Sequence, residues 1–280
     1  MNPYLKLPKV PLLSGRQDFL VDIARGQRVL HLGCVDTGLL HERFEQGQLL
    51  HQKLEKVAKE LWGFDIDQEG IDFLRSRGFD KLLVGDVSYL HEYEELKKAK
   101  FDIILAGEVV EHLQNPGLFF QSVKALMAPG HTRLVVSVPN AFRIDTLFYL
   151  LRGIEYVHPD HNYWFSYLTI TNLFKKNDFA IEQVYVYTFH KHNLLPQGVQ
   201  KFFPRHSSAT PSAPSLTRPQ IVNESAGVGA LASTPVYYKL LSYLRALPKR
   251  LLVSFLYSRT PFWGDGLIVV ATTGTPTREN

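Results

Sequence analysis

The densest grouping of chemically capable side chains is Glu108-Val109-Val110-Glu111-His112, an E-x-x-E-H run, followed later by His158-Pro159-Asp160-His161. Carboxylates and imidazoles so grouped can take a proton from a neutral hydroxyl or ammonium, or hold a divalent cation that lowers its pKa. If the run is helical, residues three and four apart share a face, so Glu108 meets both Glu111 and His112. His161, or His158 beside it, then completes a two-Glu, two-His oxygen and nitrogen set suited to Mg²⁺ or Mn²⁺. Three roles stay open for Glu108, Glu111, His112 and His161: general base, metal ligands, or helix capping and loop packing without chemistry.

A second series lies at the ends of short apolar runs. Val29-Leu30-His31-Leu32 runs into Gly33-Cys34-Val35-Asp36-Thr37-Gly38, a turn with glycine at either side. Glycine there lets backbone approach a ligand with no Cβ in the way. The next run ends in Asp65-Ile66-Asp67, where an acid can accept hydrogen bonds from both hydroxyls of a ribose and Ile66 offers an apolar face to a ring. The third ends in Gly85-Asp86-Val87, and the fourth in Gly107-Glu108. Four successive strands thus carry glycine or acid at their carboxyl ends, where open α/β sheets bind ligands.

The elements that must position these residues are legible as alternating β and α patterns, which indicate parallel βαβ units. Strands are expected at Arg28–Leu32, Leu61–Asp65, Lys81–Val84, Phe101–Ala106 and Arg133–Val138, then at Ile181–Phe189 and Gly266–Thr273. Helical spacing covers His51–Glu60, Phe119–Met127, introduced by Asn115-Pro116, and Thr169–Asn177.

The stretches VLHLGC, LWGFDID, LLVGDV, FDIILAGEVVEHLQNP, PGHTRLVVSVPN and HNYWFSYLTITNLFKKNDF together resemble the class I S-adenosylmethionine (SAM)-dependent methyltransferases, over roughly residues 15 to 190 and 265 to 273. The resemblance implies a Rossmann-like α/β fold: a seven-stranded, mostly parallel sheet in order 3-2-1-4-5-7-6, flanked by helices, with the last strand antiparallel. It also implies SAM as cofactor, with the Gly33 loop at its methionine end, Asp65 on the ribose, and Asp86 with the Val87 amide on the adenine. His31 stands where the family usually has an acid, and Val35 falls within the stretch replacing a usual glycine. Asp36 is the nearest substitute acceptor for the donor's amino group. His31, Gly33, Asp36, Gly38, Asp65, Ile66, Asp86, Val87 and Glu108 form the expected cofactor set. Tyr163, Trp164, Phe165 and Tyr167 would wall an acceptor pocket or belong to the core, and Asn140 sits where an acceptor could receive a hydrogen bond.

Composition bounds the rest. With 280 residues, one α/β domain and an extension fit: a methyltransferase core over 1–203, a linker and amphipathic helical insertion over 204–264, and a final strand and tail over 265–280. The single cysteine, Cys34, excludes an intramolecular disulfide and a Cys-rich zinc site, and fits a reducing, cytoplasmic setting. No apolar run reaches signal-peptide or spanning length, so a soluble or membrane-peripheral protein is expected. Residues 204–235 are rich in Ser, Pro, Ala and Thr. Residues 236–258 (VYYKLLSYLRALPKRLLVSFLYS) suit either a helical hairpin or peripheral contact with an anionic membrane. The expected activity is methyl transfer to a small molecule or glycan, at oxygen before nitrogen. The alternatives are a metal-dependent nucleic-acid 2′-O-methyltransferase and a non-catalytic interaction protein. Against nucleic acid, the net charge of +4 is dispersed apart from Lys97-Lys98-Lys100.

Overall fold

The computed structural model describes residues 5–189 and 256–274 except Ser258. The strands are β1 (Leu12–Leu13), β2 (Arg28–Leu32), β3 (Glu60–Asp65), β4 (Leu82–Val84), β5 (Ile103–Gly107), β6 (Arg133–Pro139), β7 (Phe179–Tyr187) and β8 (Gly266–Thr273). They form one sheet in the order β1-β7-β8-β6-β5-β2-β3-β4. Read from β4 inward, this is the expected order with one addition. The short β1 pairs in parallel with β7 at the edge, making eight strands where seven were expected. Its two residues lie in a Pro-interrupted stretch too short to show a period, so the sequence carries no sign of it. β8, the separated GLIVVATT stretch, runs antiparallel between β6 and β7, as the family resemblance implied.

Both faces of this sheet are covered, and the strands show why. Along β5, Ile103 and Leu105 pack into one apolar cluster while Ile104 and Ala106 pack into the other. Along β8, Leu267, Val269 and Ala271 alternate in the same way with Ile268 and Val270. A period of two with apolar residues on both sides is what a doubly covered sheet demands. Helices α1 (Arg16–Ala24) and α3 (Leu50–Glu55) supply Leu20, Leu50 and Leu54 to one face, while α6 (Pro116–Lys124) and α8 (Tyr167–Lys176) supply Phe119, Phe120, Ile170 and Phe174 to the other.

The remaining helices are α2 (Leu40–Glu45), α4 (Gln68–Ser76), α5 (Glu94–Lys98) and α7 (Ile144–Leu150). Local chemistry sets several starts. Asn115 accepts from the Gly117 amide ahead of Pro116, Asp67 accepts from Gly70, and Ser166 and Thr169 form a reciprocal capping box. α3 ends at Glu55, short of the expected Glu60, because Glu60 already pairs with Arg28 in the sheet. Most of the expected insertion, including 204–235 and all but the end of 236–258, lies outside the described residues. Among the described residues no helix is long and apolar enough to cross a membrane.

Period two also decides His31. It shares a face with Val29, is 3% exposed, and its Nδ1 lies 3.2 Å from Nδ1 of His51 on α3. His51 fits because residue 63 is glycine: a Cβ there would fall 2.9 Å from its Cε1. Burial pushes His51 down to about 3 and holds His31 well below the ordinary histidine value. In the unfolded chain both rings titrate near 6.5, so acid favours unfolding. The pair's contribution is full above about pH 6.5 and falls as pH drops toward about 3, by up to about 1.4 kcal/mol per pH unit for each ring. Melting temperature should therefore decline steeply below about pH 6, and His31→Val with His51→Leu should flatten that decline. An unchanged acid limb in the double variant would contradict this.

Candidate functional site

The carboxyl ends of β2, β3, β4 and β5 are adjacent, because these strands are parallel neighbours. The loop after β2 is tied to the end of β3. The Gly33 amide donates to Phe64 O, the Val35 amide to Asp65 Oδ2 at 2.8 Å, and Thr37 Oγ1 to Asp67. Gly33 has φ +67, and a Cβ on it would fall 2.5 Å from Val109 Cγ2, so glycine is required twice over.

Val35, out of the family pattern, is accommodated by a second glycine. Its side chain is 8% exposed and turns toward α4, where a Cβ at Gly70 would fall 2.3 Å from Val35 Cγ1. The bulk added to the loop is therefore taken up against α4.

Asp65 is 6% exposed and accepts from the amides of Val35 and Asp67. Burial raises its pKa, opposed by those amides. A carboxylate has about four lone-pair positions, so these amides do not exhaust its capacity to accept from a ligand hydroxyl. Ile66 beside it is 73% exposed, an apolar side chain held in solvent at the strand end. Asp86 is exposed and caps the following turn through the Ser88 amide at 2.8 Å, while Val87 is buried beneath it. Gly38, at φ +82, lies at the far end of the first loop.

Two residues of the expected cofactor set are otherwise engaged. His31 is taken up by His51 inside the core, and Asp36 is ion-paired with Arg43. The geometry therefore offers neither as an unengaged acceptor.

The E-x-x-E-H run is not one helix. Glu108 has φ +60, a left-handed conformation that costs a non-glycine residue of order 1 kcal/mol or more, and Val110–His112 forms a single 3₁₀ turn. The expected shared face is thus broken into an inward part and an outward part. Glu108 Oε1 accepts from Tyr187 Oη at 2.9 Å and Ser137 Oγ at 3.1 Å, with Arg16 Nη1 at 3.3 Å. Sequence reasoning missed Arg16, Ser137 and Tyr187, since nothing local marks a strand tyrosine or a first-helix arginine as partners of Glu108. Glu111 is fully buried, and neither carboxylate oxygen has a hydrogen-bond partner among the described residues. Burial, then the nearby Glu108, raises its pKa well above the usual carboxylate range.

His112 faces outward, where it meets the 158–165 segment. The amides of Asn162 and Tyr163 donate to Glu111 O, Asn162 Nδ2 donates to His112 O, and Tyr163 Oη donates to Gln114 O. These bonds bring His112, His158 and His161 together, with one ring nitrogen from each within 4.8 Å of the others. Among the described residues this grouping is nitrogen-only; Glu108 and Glu111, expected to share it, point elsewhere. Burial, then His112 and His158, lowers the pKa of His161, so its imidazole is neutral at neutral pH.

Of the aromatic stretch, Phe165 is core and Tyr167 packs on Phe262, while Tyr163 and Trp164 are each 38% exposed. Asn140 is 2% exposed. Its Nδ2 donates to Phe262 O and Gly264 O, and its Oδ1 accepts from Phe142. It locks the turn before β8, which replaces the expected contact to an acceptor.

The methyltransferase domain family matches residues 9–184. Among curated relatives, the ubiquinone biosynthesis O-methyltransferase of Shewanella halifaxensis is 23% identical over 144 residues, 49% of this chain and 56% of its own. That of Bradyrhizobium diazoefficiens is 29% identical over 132 residues, 47% of each chain. The chain spans about half the length of the curated relatives it matches. A SAM-dependent methyltransferase structure from Archaeoglobus fulgidus is 15% identical with a TM-score of 0.46, covering 92% of this chain and 95% of its own. At that level the likeness says nothing about chemistry.

The state of Glu111 is open to direct test. A carboxyl whose pKa is raised on folding contributes stability below its unfolded value near ~4.3, and this is lost as pH rises. Glu111→Gln keeps the shape and removes the charge. Its melting temperature should match the natural chain near about pH 4 and exceed it near about pH 8. A variant less stable at the higher pH would mean that Glu111 is ionised and paired.

Proposed function

The chain belongs to the methyltransferase domain family, of the class I SAM-dependent type, and on that premise we propose that it methylates an oxygen of a small-molecule or glycan acceptor. The observation carrying this reading is the convergence of Gly33, Asp65, Asp86 and Glu108 at four neighbouring strand ends. The residues present suit the donor. Asp65 can accept from ribose hydroxyls beside the amides it already binds, and the exposed Ile66 offers an apolar face for adenine. Asp86, exposed at the end of β4, would accept from an adenine amino group, with the Val87 amide as the accompanying donor. SAM, when bound, supplies a sulfonium-activated methyl group for in-line displacement.

The chain's own residues align the acceptor and take its proton. His161 is the best-suited base, because a neutral imidazole near the acceptor side is ready to accept. Glu108 is fixed by Tyr187, Ser137 and Arg16, and serves to orient. Glu111 is too buried to reach an acceptor and acts through its neighbours. Tyr163 and Trp164 form the exposed aromatic wall against which an apolar acceptor would lie. The names of the curated relatives support oxygen as the methylated atom and a small molecule as the acceptor class.

A second reading adds a divalent metal, favoured by the convergence of His112, His158 and His161. Three imidazoles suit zinc-like first-row ions better than Mg²⁺, and an open fourth position would lower the pKa of an acceptor hydroxyl. A nucleic-acid acceptor stands only as a variant of this metal reading.

Radiolabelled methyl transfer to pooled phenols, sugars, lipids and RNA, with and without EDTA, separates these readings. Activity on phenols or sugars that survives EDTA, falls at least about tenfold in His161→Gln, and persists below the usual histidine pKa is the expected result. Loss in EDTA would replace the imidazole base with the metal, and transfer to RNA alone would replace the acceptor class.

A further inference from the structure

α7 and the turn after it carry apolar side chains out of the core. Ile144, at the start of the helix, is buried, whereas Leu147, Leu150 and Leu151, spaced three and four apart on one side, are exposed. Gly153, at φ +72, ends the helix. Its amide donates to Leu150 O and the Ile154 amide to Tyr149 O, the pair of bonds that folds a chain back at its last helical turn. Tyr156 then stacks on Tyr149, with ring centroids 4.5 Å apart, and lies 5.0 Å beneath the Arg143 guanidinium. The turn is thus tied to the helix by its own contacts, and the surface they form together is set in advance.

Phe142, Leu147, Leu150, Leu151, Ile154 and Tyr156 are each between 41% and 75% exposed. Together they leave on the order of 600 Å² of mostly apolar surface, the upper end for a monomer and not far short of the roughly 800 Å² a side of a standard interface. Charge decides what covers it. An anionic membrane selects a rim with an excess of Lys and Arg. Between residues 142 and 156 the signs are instead balanced: Arg143 and Arg152 against Asp145 and Glu155. Arg143 faces Asp145 at 3.6 Å. Arg152 and Glu155 are exposed, and neither is ion-paired among the described residues.

An unpaired base and an unpaired acid beside an apolar patch are complementary to a second copy of themselves. We propose that this face pairs two copies of the chain in solution. Under a two-fold axis near Gly153 and Ile154, Arg152 meets Glu155 of the partner subunit, and Glu155 meets Arg152 of the partner subunit. Leu150, Leu151, Ile154 and Tyr156 lie between these two reciprocal pairs and supply the apolar centre. The pairing surface runs directly into Val157 and His158, so it adjoins the imidazole cluster.

Sedimentation velocity of the full chain over a range of concentrations tests the pairing. The natural chain should be a dimer at about 10 μM and above. Leu151→Glu should weaken pairing by about tenfold or more without unfolding the monomer, because the side chain is exposed within one copy. Arg152→Glu sets like charges opposite each other and should weaken pairing about fivefold or more. Adding Glu155→Arg to it restores both reciprocal pairs with their signs exchanged, so affinity should return to within about threefold of the natural chain. A chain still monomeric at about 100 μM would overturn the proposal. Flotation of that monomer with phosphatidylglycerol vesicles, lost in Leu151→Glu, would give the face to a membrane, and a monomer destabilised by Leu151→Glu would mean that the face is covered within one chain. A dimer indifferent to Leu151→Glu and Arg152→Glu would place the contact elsewhere and overturn the proposal equally.

Discussion

Among the bonds that join the two halves of the proposed donor site, the buried one from the Val35 amide to the Asp65 side chain, at 2.8 Å, is the one on which the loop depends. It fixes the loop after β2 against the end of β3. Asp65 is buried where it accepts this bond, and burial raises the carboxyl's pKa. The amides of Val35 and Asp67 oppose that shift and keep the acid usable. Val35 in turn needs Gly70, since any Cβ there would collide with it. Bond, valine and helix glycine act together, so a loop that departs from its family's pattern can keep its geometry.

The same logic governs the other buried charges. Glu108 sits in a left-handed conformation because three side chains hold its carboxylate. Arg16 supplies the one full positive charge in that group, facing both Glu108 and Glu111. Burial, and then the nearby Glu108, pushes the Glu111 carboxyl well above the usual carboxylate range.

Much of the architecture was legible in the sequence, because a doubly covered parallel sheet writes itself as short apolar runs ending in glycine or acid. Strand order and the antiparallel direction of the last strand followed from the family resemblance, while GLIVVATT marked that strand's place in the chain. Asp65, Ile66 and Asp86 stand at strand ends, where their positions in the runs put them. Long-range partnerships were not legible. That His31 is consumed by His51, Asp36 by Arg43 and Asn140 by the turn before β8 depends on contacts between distant segments. A shared face for the E-x-x-E-H run depends on its being helical, and a single left-handed residue at Glu108 divides it. Spacing carries no sign of such a residue unless it is glycine or asparagine.

The central claim is that the donor lies across the carboxyl ends of β2 to β5. Hydrogen–deuterium exchange of the full chain, with and without saturating S-adenosylmethionine, tests it most directly. The account predicts added protection at 33–38, 65–67, 85–87 and 107–108, with little change at 51–61 or 78–82 on the opposite ends of the strands. Protection confined to those opposite ends, or none at all with ligand in excess, would contradict it.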